Sequence, residues 1–202
     1  MLKKIIANMR RLPSDIYNKL VFVYRRPIIS GKKPHINGKI YMVAEKGKIR
    51  FGNGVRINSS LSSNPIGGST RTILFAEPGA SIYIGDRVGI SNSAIHAANS
   101  IVIGNDVLIG GSCKIYDTDF HSVVYESRME NKGIRTKGVV IGNGTFIGAG
   151  CYILKGVHIG EKSVVAAASV VTKNIPSGEL WGGNPAKFIR KIDGDSIGGK
   201  RE

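Results

Sequence analysis

A six-residue repeat runs from Ile141 to Val171, through the stretch IGNGTFIGAGCYILKGVHIGEKSVVAAASVV. Every sixth residue is aliphatic, and the residue four positions later is mostly small. The aliphatic positions are Ile141, Ile147, Ile153, Ile159, Val165 and Val171. A period of six fits neither the helical period of about 3.6 nor the strand period of about two. It predicts short strands separated by corners, which coil into a solenoid.

The same repeat occurs earlier in the chain, at Ile84 and Ile90 and again at Ile103, Ile109 and Ile115. Asn, Asp and Gly favour the positions between the aliphatic residues, and they accept the backbone angles of a corner. We expect each aliphatic side chain to point into the coil, where the small residue leaves room for it.

On these residues the chain resembles the hexapeptide-repeat acyltransferases, and it is similar to the bacterial polysaccharide and sugar O-acetyltransferases among them. The resemblance covers residues 49–192. It implies an all-β solenoid, namely a left-handed parallel β-helix with triangular coils. We divide the chain into a basic helical entry segment at 1–48, a β-helix at 49–176 with a catalytic loop at 117–138, and a short tail at 177–202.

Length and composition indicate one domain. A chain of 202 residues can bury a sizeable core. No apolar run approaches the roughly 18 residues that span a bilayer, and the N-terminus lacks the apolar core and cleavage site of a signal peptide. Two cysteines without metal-ligand spacing favour a reducing compartment, so we expect a cytoplasmic protein.

Positive charge is concentrated at the N-terminus. The first 50 residues carry thirteen Lys and Arg against Asp15 and Glu45, which gives +11 of the chain's +15. Apolar residues near helical spacing in 2–12 and 16–24 predict one or two basic amphipathic helices. Such helices could cover the open first coil or bind an anionic surface at the inner face of the membrane. Nucleic-acid binding is the third explanation, but no nucleic-acid motif accompanies the charge.

The longest break in the repeat opens with Asp117-Thr118-Asp119-Phe120-His121. A solenoid builds its site from such loops, which a rigid scaffold holds. In the family, a histidine at the start of the loop is the catalytic base, and an imidazole with a pKa of about 6.5 suits that task. The resemblance implies that His121 is the base and that Asp119 or Asp117 orients it or holds the acceptor. Alternatively, one of the two carboxylates caps the turn of the loop.

The other three histidines fit structural positions. We expect His96 to pack or to satisfy a corner, His158 to lie on the surface, and His35 to belong to the entry segment. A zinc-dependent carbonic anhydrase on the same β-helix would need three histidines around the metal. Its paired histidines five residues apart are absent, so we expect no metal.

The resemblance also implies a donor site. In the family, acetyl-CoA lies in a groove between neighbouring subunits of a trimer, where an aromatic residue contacts the pantetheine arm. Here that residue is Phe146, at a position where many relatives carry Trp, and Lys173 and Arg190 are expected to meet phosphates. The cofactor-binding residues on this basis are Phe146, Gly148, Ala149, Ala167, Thr172, Lys173 and Arg190.

The resemblance thus implies a homotrimeric acetyltransferase that moves an acetyl group from acetyl-CoA to a sugar hydroxyl of a cell-surface glycan or its precursor. Ser91, Asn92 and Asp117 are the expected acceptor contacts. N-acetylation of an amino-sugar or of a small-molecule drug is an alternative. A non-catalytic scaffold is a further class, although a scaffold has no need of the Asp-Thr-Asp-Phe-His cluster.

The repeat makes one prediction that depends on its register alone. Ile90, Ile109, Ile147 and Val165 should head the second face of successive coils, and the small residues that follow them should form a column. That column is Ala94, Cys113, Cys151 and Ser169. Because neighbouring strands lie about 4.8 Å apart, Cys113 and Cys151 should be neighbours, and we expect them to be free, buried thiols.

Overall fold

The computed structural model describes residues 12–44 and 46–192. Within these residues the chain winds through six coils, and each coil contributes one strand to each of three sheets. Strands of successive coils pair in parallel. The protein is a left-handed parallel β-helix with triangular coils, as the sequence predicts.

The three sheets form the three faces of the β-helix. Sheet A contains β1 Ile28–Ile29, β4 Lys48–Phe51, β7 Ser81–Ile84, β10 Ser100–Ile103, β13 Val139–Ile141 and β16 His158–Ile159. Sheet B contains β2 His35–Gly38, β5 Arg56–Ser59, β8 Gly89–Ser91, β11 Leu108–Ile109, β14 Phe146–Ile147, β17 Val164–Val165, β19 Glu179–Gly182 and β20 Lys187–Lys191. Sheet C contains β3 Tyr41–Val43, β6 Ile73–Ala76, β9 Ala94–Ala97, β12 Lys114–Tyr116, β15 Tyr152–Ile153 and β18 Val170–Val171.

The six-residue repeat is the spacing from one face of a coil to the next. Ile103 in sheet A, Ile109 in sheet B and Ile115 in sheet C all point inward and are at most 3% exposed. Ile103 lies opposite Ile141 of the following coil, so the inward residues stack along the axis. Each such side chain contributes about 1.5–3 kcal/mol through burial.

Asparagine and aspartate side chains join successive coils at the corner between sheets A and B. Asn143 Oδ1 accepts the backbone N–H of Asn105 at 2.8 Å, and Asn105 Oδ1 accepts that of Asp86 at 2.8 Å. A Cβ atom at Gly104 would lie 2.5 Å from Asn143 Oδ1, so glycine is needed beside this ladder. Contacts between coils therefore explain these residues as well as turn angles do.

The β-helix begins earlier than the sequence indicates. Strands β1, β2 and β3 pair with β4, β5 and β6, so the first coil starts at Ile28 and not at residue 49. The division that assigned 1–48 to an entry segment is thus corrected for its second half. Connections of unequal length separate the three strands of this coil, which is why no six-residue repeat marks it.

Helix α1, Ser14–Arg25, covers the end of the first coil. Its Tyr17 and Val21 are buried, and Phe22 stacks on Phe51 with ring centroids 6.0 Å apart. The Asn18 side chain donates to the carbonyl of Gly38 at 2.8 Å. Through these contacts α1 covers the open end of the β-helix, which is one of the roles predicted for the basic segment. The other predicted apolar stretch, 2–12, lies almost wholly outside the described residues, among which no helix is long and apolar enough to cross a membrane.

The predicted tail at 177–202 extends sheet B as far as the structure describes it. Strand β19 pairs in parallel with β17, and β20 returns antiparallel to β19. The composition of residues 193–202 predicts a disordered end, and these residues lie outside the described part of the chain.

Cys113 and Cys151 are neighbours, as the register predicts. Lys114 lies opposite Tyr152, which places the two preceding cysteines side by side in adjacent coils. Both thiols are free and 0% exposed. The coil count through the loop excursion is therefore correct at these positions.

The first member of the predicted column is wrong by one residue. Ala94 lies opposite Lys114, so the residue below Cys113 is Ser93. Ser93 Oγ accepts the Cys113 N–H at 2.9 Å. The shift arises because Ser93 follows Ile90 by three residues, whereas Cys113 follows Ile109 by four, so this corner is one residue shorter.

The buried thiol pair gives a first testable prediction. We expect neither thiol to react with a thiol reagent in the native protein, and two per chain to react after unfolding, because Cys113 and Cys151 have no exposed surface. A side-chain hydrogen bond with Cys113 and burial also raise the pKa of Cys151, which keeps that thiol protonated. Titration with a chromogenic disulfide measures both values. Rapid reaction of the native protein would contradict the predicted register.

Candidate active site

The loop at 117–138 leaves sheet C after β12 and rejoins the scaffold at β13 of sheet A. It therefore projects from the corner between these two faces, and it contains the short helix α2, Tyr125–Met129. Its two ends are held together by an antiparallel bridge between Thr118 and Thr136, and by a hydrogen bond from the Asp119 N–H to the Arg135 carbonyl at 3.0 Å. The loop thus has a fixed base.

Asp117 anchors the loop to the coil below it. Its carboxylate is 0% exposed and accepts the backbone N–H groups of Ala98 and Asn99, at 2.7 and 2.9 Å. A buried carboxylate with this environment cannot contact an acceptor. The prediction that Asp117 binds the acceptor is therefore corrected: its carboxylate caps the corner at Ala98 and Asn99 of the preceding coil, and not the turn of its own loop.

His121 is presented to solvent by a tight turn. Its backbone N–H donates to the Asp119 carbonyl at 2.7 Å, and Phe120 between them has a positive φ of 60°. Such three-residue turns are strained for a residue with a side chain, and they persist when surrounding contacts hold them. Here the Phe120 ring packs edge-on against His96 and is tilted against Tyr116, with centroids 4.9 and 5.3 Å apart.

His96 and its partners form a support that sequence reasoning only partly identified. His96 Nε2 lies 2.7 Å from Glu77 Oε1, and its ring stacks on Phe75 at 4.7 Å. The expectation that His96 packs is confirmed, but its contact with Phe120 links it to the turn that carries His121. The signal in the sequence is that Phe75, His96 and Tyr116 occupy one row of sheet C.

Asp119 is partly exposed and pairs with a residue that the sequence analysis did not consider. Its Oδ1 atom lies 2.6 Å from Lys155 Nζ, so its ion pair among the described residues is with Lys155 and not with the imidazole of His121. Asp119 also borders an open cavity of about 380 Å³ inside the loop. Partial burial raises the pKa of Tyr116 beside it, and the charges of Tyr152 and Asp119 add to that shift.

The two predicted acceptor residues in β8 and the following corner differ in their accessibility. Asn92 is 0% exposed, and its amide donates to the carbonyls of Gly68 and Thr70 at 3.2 and 2.7 Å. It therefore holds the segment that covers it, and its assignment as an acceptor contact is corrected. Ser91 is half-buried on sheet B, where it accepts a hydrogen bond from Asn58 at 3.2 Å.

An apolar row runs along the outer side of sheet B. Leu108, Phe146 and Val164 lie opposite one another in successive coils, and the row continues in the tail strands. Phe146 is 46% exposed and Leu108 is 55% exposed. Leu180 follows Val164 in register, and Arg190 lies opposite Leu180. The structure therefore brings Phe146 and Arg190 to one face.

The remaining predicted cofactor residues lie in different settings. Ala149 and Ala167 are in adjacent coils, joined by a hydrogen bond from the Ala168 N–H to the Ala149 carbonyl at 2.8 Å. Gly148 is buried, and a Cβ atom there would lie 2.5 Å from the Ala167 nitrogen, so coil stacking requires this glycine. Its predicted contact with the cofactor is corrected on that ground.

Thr172 and Lys173 are exposed and follow β18 in sheet C. The chain then turns toward sheet A, where Ile175 bridges to Ile159. Lys173 thus lies near the corner that also carries the loop, and it does not share the face of Phe146 and Arg190.

Within one chain the candidate residues therefore form two separate groups. His121 stands at the corner between sheets C and A, whereas Phe146 and Arg190 lie on sheet B. In a β-helix with triangular coils, the corner between sheets C and A lies opposite sheet B. Among the described residues no group of three or more His, Cys, Asp or Glu side chains is placed to hold a metal ion.

Comparisons with known proteins find similarity to hexapeptide-repeat proteins. The family model for the hexapeptide repeat of succinyl-transferase matches residues 138–173. A putative acetyltransferase of Saccharomyces cerevisiae, YJL218W, is 40% identical over 119 residues, which are 58% of this chain and 60% of the relative. Gamma carbonic anhydrase 1 of Arabidopsis thaliana is 36% identical over 116 residues, which are 52% of this chain and 34% of that protein.

Solved structures give the same result for the fold. The maltose O-acetyltransferase of Clostridium difficile 630 superposes with a TM-score of 0.59 and 26% identity, over 95% of this chain and 84% of that one. The chain spans about 60% or less of the length of the curated relatives named above. By its repeat, its three parallel sheets and these matches, the chain has the left-handed β-helix fold and is similar to the hexapeptide-repeat acetyltransferases.

Proposed function

We propose that this protein transfers an acetyl group from acetyl-CoA to a sugar hydroxyl of a cell-surface glycan or of its precursor. The observation that carries the proposal is the placement of His121, exposed on a strained turn that His96 and Tyr116 support. The similarity of the chain to acetyltransferases, including one named a maltose O-acetyltransferase, supports the reaction class.

The proposed chemistry needs one base and a bound thioester. His121 accepts the proton of the acceptor hydroxyl while the oxygen attacks the thioester carbonyl, and the new C–O bond replaces the C–S bond. The imidazolium of His121 then returns the proton to the departing CoA thiolate. A positioned histidine typically contributes about 10²–10⁴-fold to such a rate.

The donor would lie along the apolar row of sheet B. Leu108, Phe146 and Val164 offer an apolar surface for a pantetheine arm, and Arg190 at the end of the row can form charge-assisted hydrogen bonds with phosphate. Ser91 lies on the same sheet, two coils before Phe146, and is a proposed acceptor contact. Lys173 would then belong to the neighbouring subunit's side of the groove.

The opposite positions of His121 and Phe146 support a site shared between subunits. A loop at one corner of a prism can meet the opposite face only of another chain, and a head-to-tail contact of this kind gives a ring when its rotation closes. We predict a homotrimer in which each His121 faces the sheet B row of the next chain. Light scattering should give the mass of three chains; a monomer mass for an enzyme active at the same concentration would contradict it.

The acceptor is tested by a panel of sugars incubated with the protein and acetyl-CoA. The product should gain one acetyl group, and mild base should remove that group, because an ester is labile under conditions that leave an amide intact. A base-stable product from an amino-sugar would assign N-acetylation instead. Absence of transfer to any acceptor, with acetyl-CoA intact, would reject the proposed function.

A further inference from the structure

Helix α1 has a second apolar face that the β-helix does not use. Ile16, Leu20, Val23 and Tyr24 follow one another at helical spacing and are 47, 41, 72 and 62% exposed. We call these four residues the outer stripe. The opposite side of the helix, with Tyr17, is buried against the first coil. The stripe therefore faces away from the scaffold.

Positive charge adjoins the outer stripe. Lys19 lies one helical turn before Val23 of the stripe. It also borders an open cavity of about 240 Å³ between α1 and β2. Lys33 and His35 line the same cavity, and Asp15 is the one acid among the described residues that line it. The first 50 residues carry thirteen Lys and Arg against two acids. An apolar stripe beside basic side chains is typical of helices that lie in the headgroup region of a bilayer.

We propose that the outer stripe docks on an anionic phospholipid surface. The apolar side chains would enter the boundary between headgroups and acyl chains, and Lys19 and Lys33 would meet lipid phosphates. Because α1 is already folded against the first coil, docking requires no change in the scaffold. The loop at 117–138 leaves the fourth coil, three strand spacings or about 15 Å from the first coil.

This inference is independent of the proposed acetyl transfer, because it concerns only the end of the β-helix that α1 covers. It also favours lipid over nucleic acid as the anionic partner, since the exposed stripe would remain in water on a nucleic acid. A bilayer surface satisfies both the apolar stripe and the lysines.

The test is co-sedimentation of the full chain with vesicles of phosphatidylcholine, alone or mixed with phosphatidylglycerol. The protein should bind the mixed vesicles and remain in solution with the neutral ones, and added salt should weaken binding. Equal binding to both vesicles, or binding to neither, would overturn the proposal.

Two variants separate the contributions of the stripe and the charge. Leu20→Ser with Val23→Ser should weaken vesicle binding by at least about tenfold. Lys19→Glu with Lys33→Glu should weaken it by at least about fivefold for each lysine. The matched control is Val102→Ser with Val140→Ser, two side chains of sheet A that are each 37% exposed, and it should bind like the wild type.

The remaining outcomes are also decisive. Loss of binding in the charge variant alone would indicate a purely electrostatic contact and would overturn docking through the stripe. A stripe variant whose mass in light scattering differs from that of the wild type would assign the stripe to a contact between subunits. Displacement of the vesicles by duplex DNA, added so that its phosphate charge equals that of the lipid, would point to nucleic acid and likewise overturn the proposal.

Discussion

His121→Ala is expected to lower kcat by about 10²–10⁴-fold. The variant should leave the KM for acetyl-CoA and the thermal stability nearly unchanged. The imidazole is exposed, and no hydrogen bond joins it to another side chain in the part of the chain that the structure describes. Its removal therefore takes away a proton acceptor without disturbing packing. Steady-state kinetics with acetyl-CoA and the identified acceptor measure the effect.

His158→Ala is the matched control for this experiment. His158 is also exposed, but it lies in sheet A opposite Val140 and belongs to neither the loop nor the apolar row. Its substitution should leave kcat within about twofold of the wild type, since it is outside the proposed site. Near-full turnover of His121→Ala would remove His121 from the mechanism.

Asp117→Ala is expected to reduce the free energy of unfolding by about 2–4 kcal/mol. The substitution removes the acceptor of two backbone N–H groups, those of Ala98 and Asn99, at a site with no access to water. It should also loosen the base of the loop and so reduce activity indirectly. Asp117→Asn retains the volume and one carbonyl acceptor, and it should lose less stability. Urea denaturation measures both variants.

Asp119→Ala provides the contrast. Its ion pair with Lys155 is partly exposed, with 27% of the Asp119 side chain accessible, so solvent screening limits its contribution to about 1 kcal/mol or less. The Asp117→Ala and Asp119→Ala variants should thus differ in their free energy of unfolding, even though both residues precede His121. If Asp117→Ala were as stable as the wild type but had a raised KM for the acceptor, Asp117 would be an acceptor ligand after all.

The sequence predicts the regular coils because each coil repeats one simple requirement. An inward aliphatic residue at each face must be followed by a corner, so the spacing alone identifies neighbours such as Cys113 and Cys151 across the loop. The spacing fails where the corner changes length, as at Asn92, and in the first coil, whose connections are irregular. The length of each connection decides both cases, and the repeat does not encode it.

The candidate site was only partly predictable for a related reason. Strand alternation from the buried Ile115 would have indicated that Asp117 points inward, which is a signal that the sequence contains. The contact of Asp119 with Lys155 joins two different coils around an irregular loop, so no local pattern announces it. The placement of Phe146 and Arg190 on one face likewise depends on the tail strands, which lie beyond the repeat.

The central claim is that His121 of one chain acts on acetyl-CoA held by sheet B of the next. Mixing subunits of two inactive variants, His121→Ala and Phe146→Glu, tests it most directly. In randomly mixed trimers, about a quarter of the sites should combine an intact His121 with an intact Phe146 row, because the two come from different chains. CoA thiol release should therefore recover to about a quarter of the wild-type rate. Mixed trimers that remain as inactive as the separate variants would contradict the shared site.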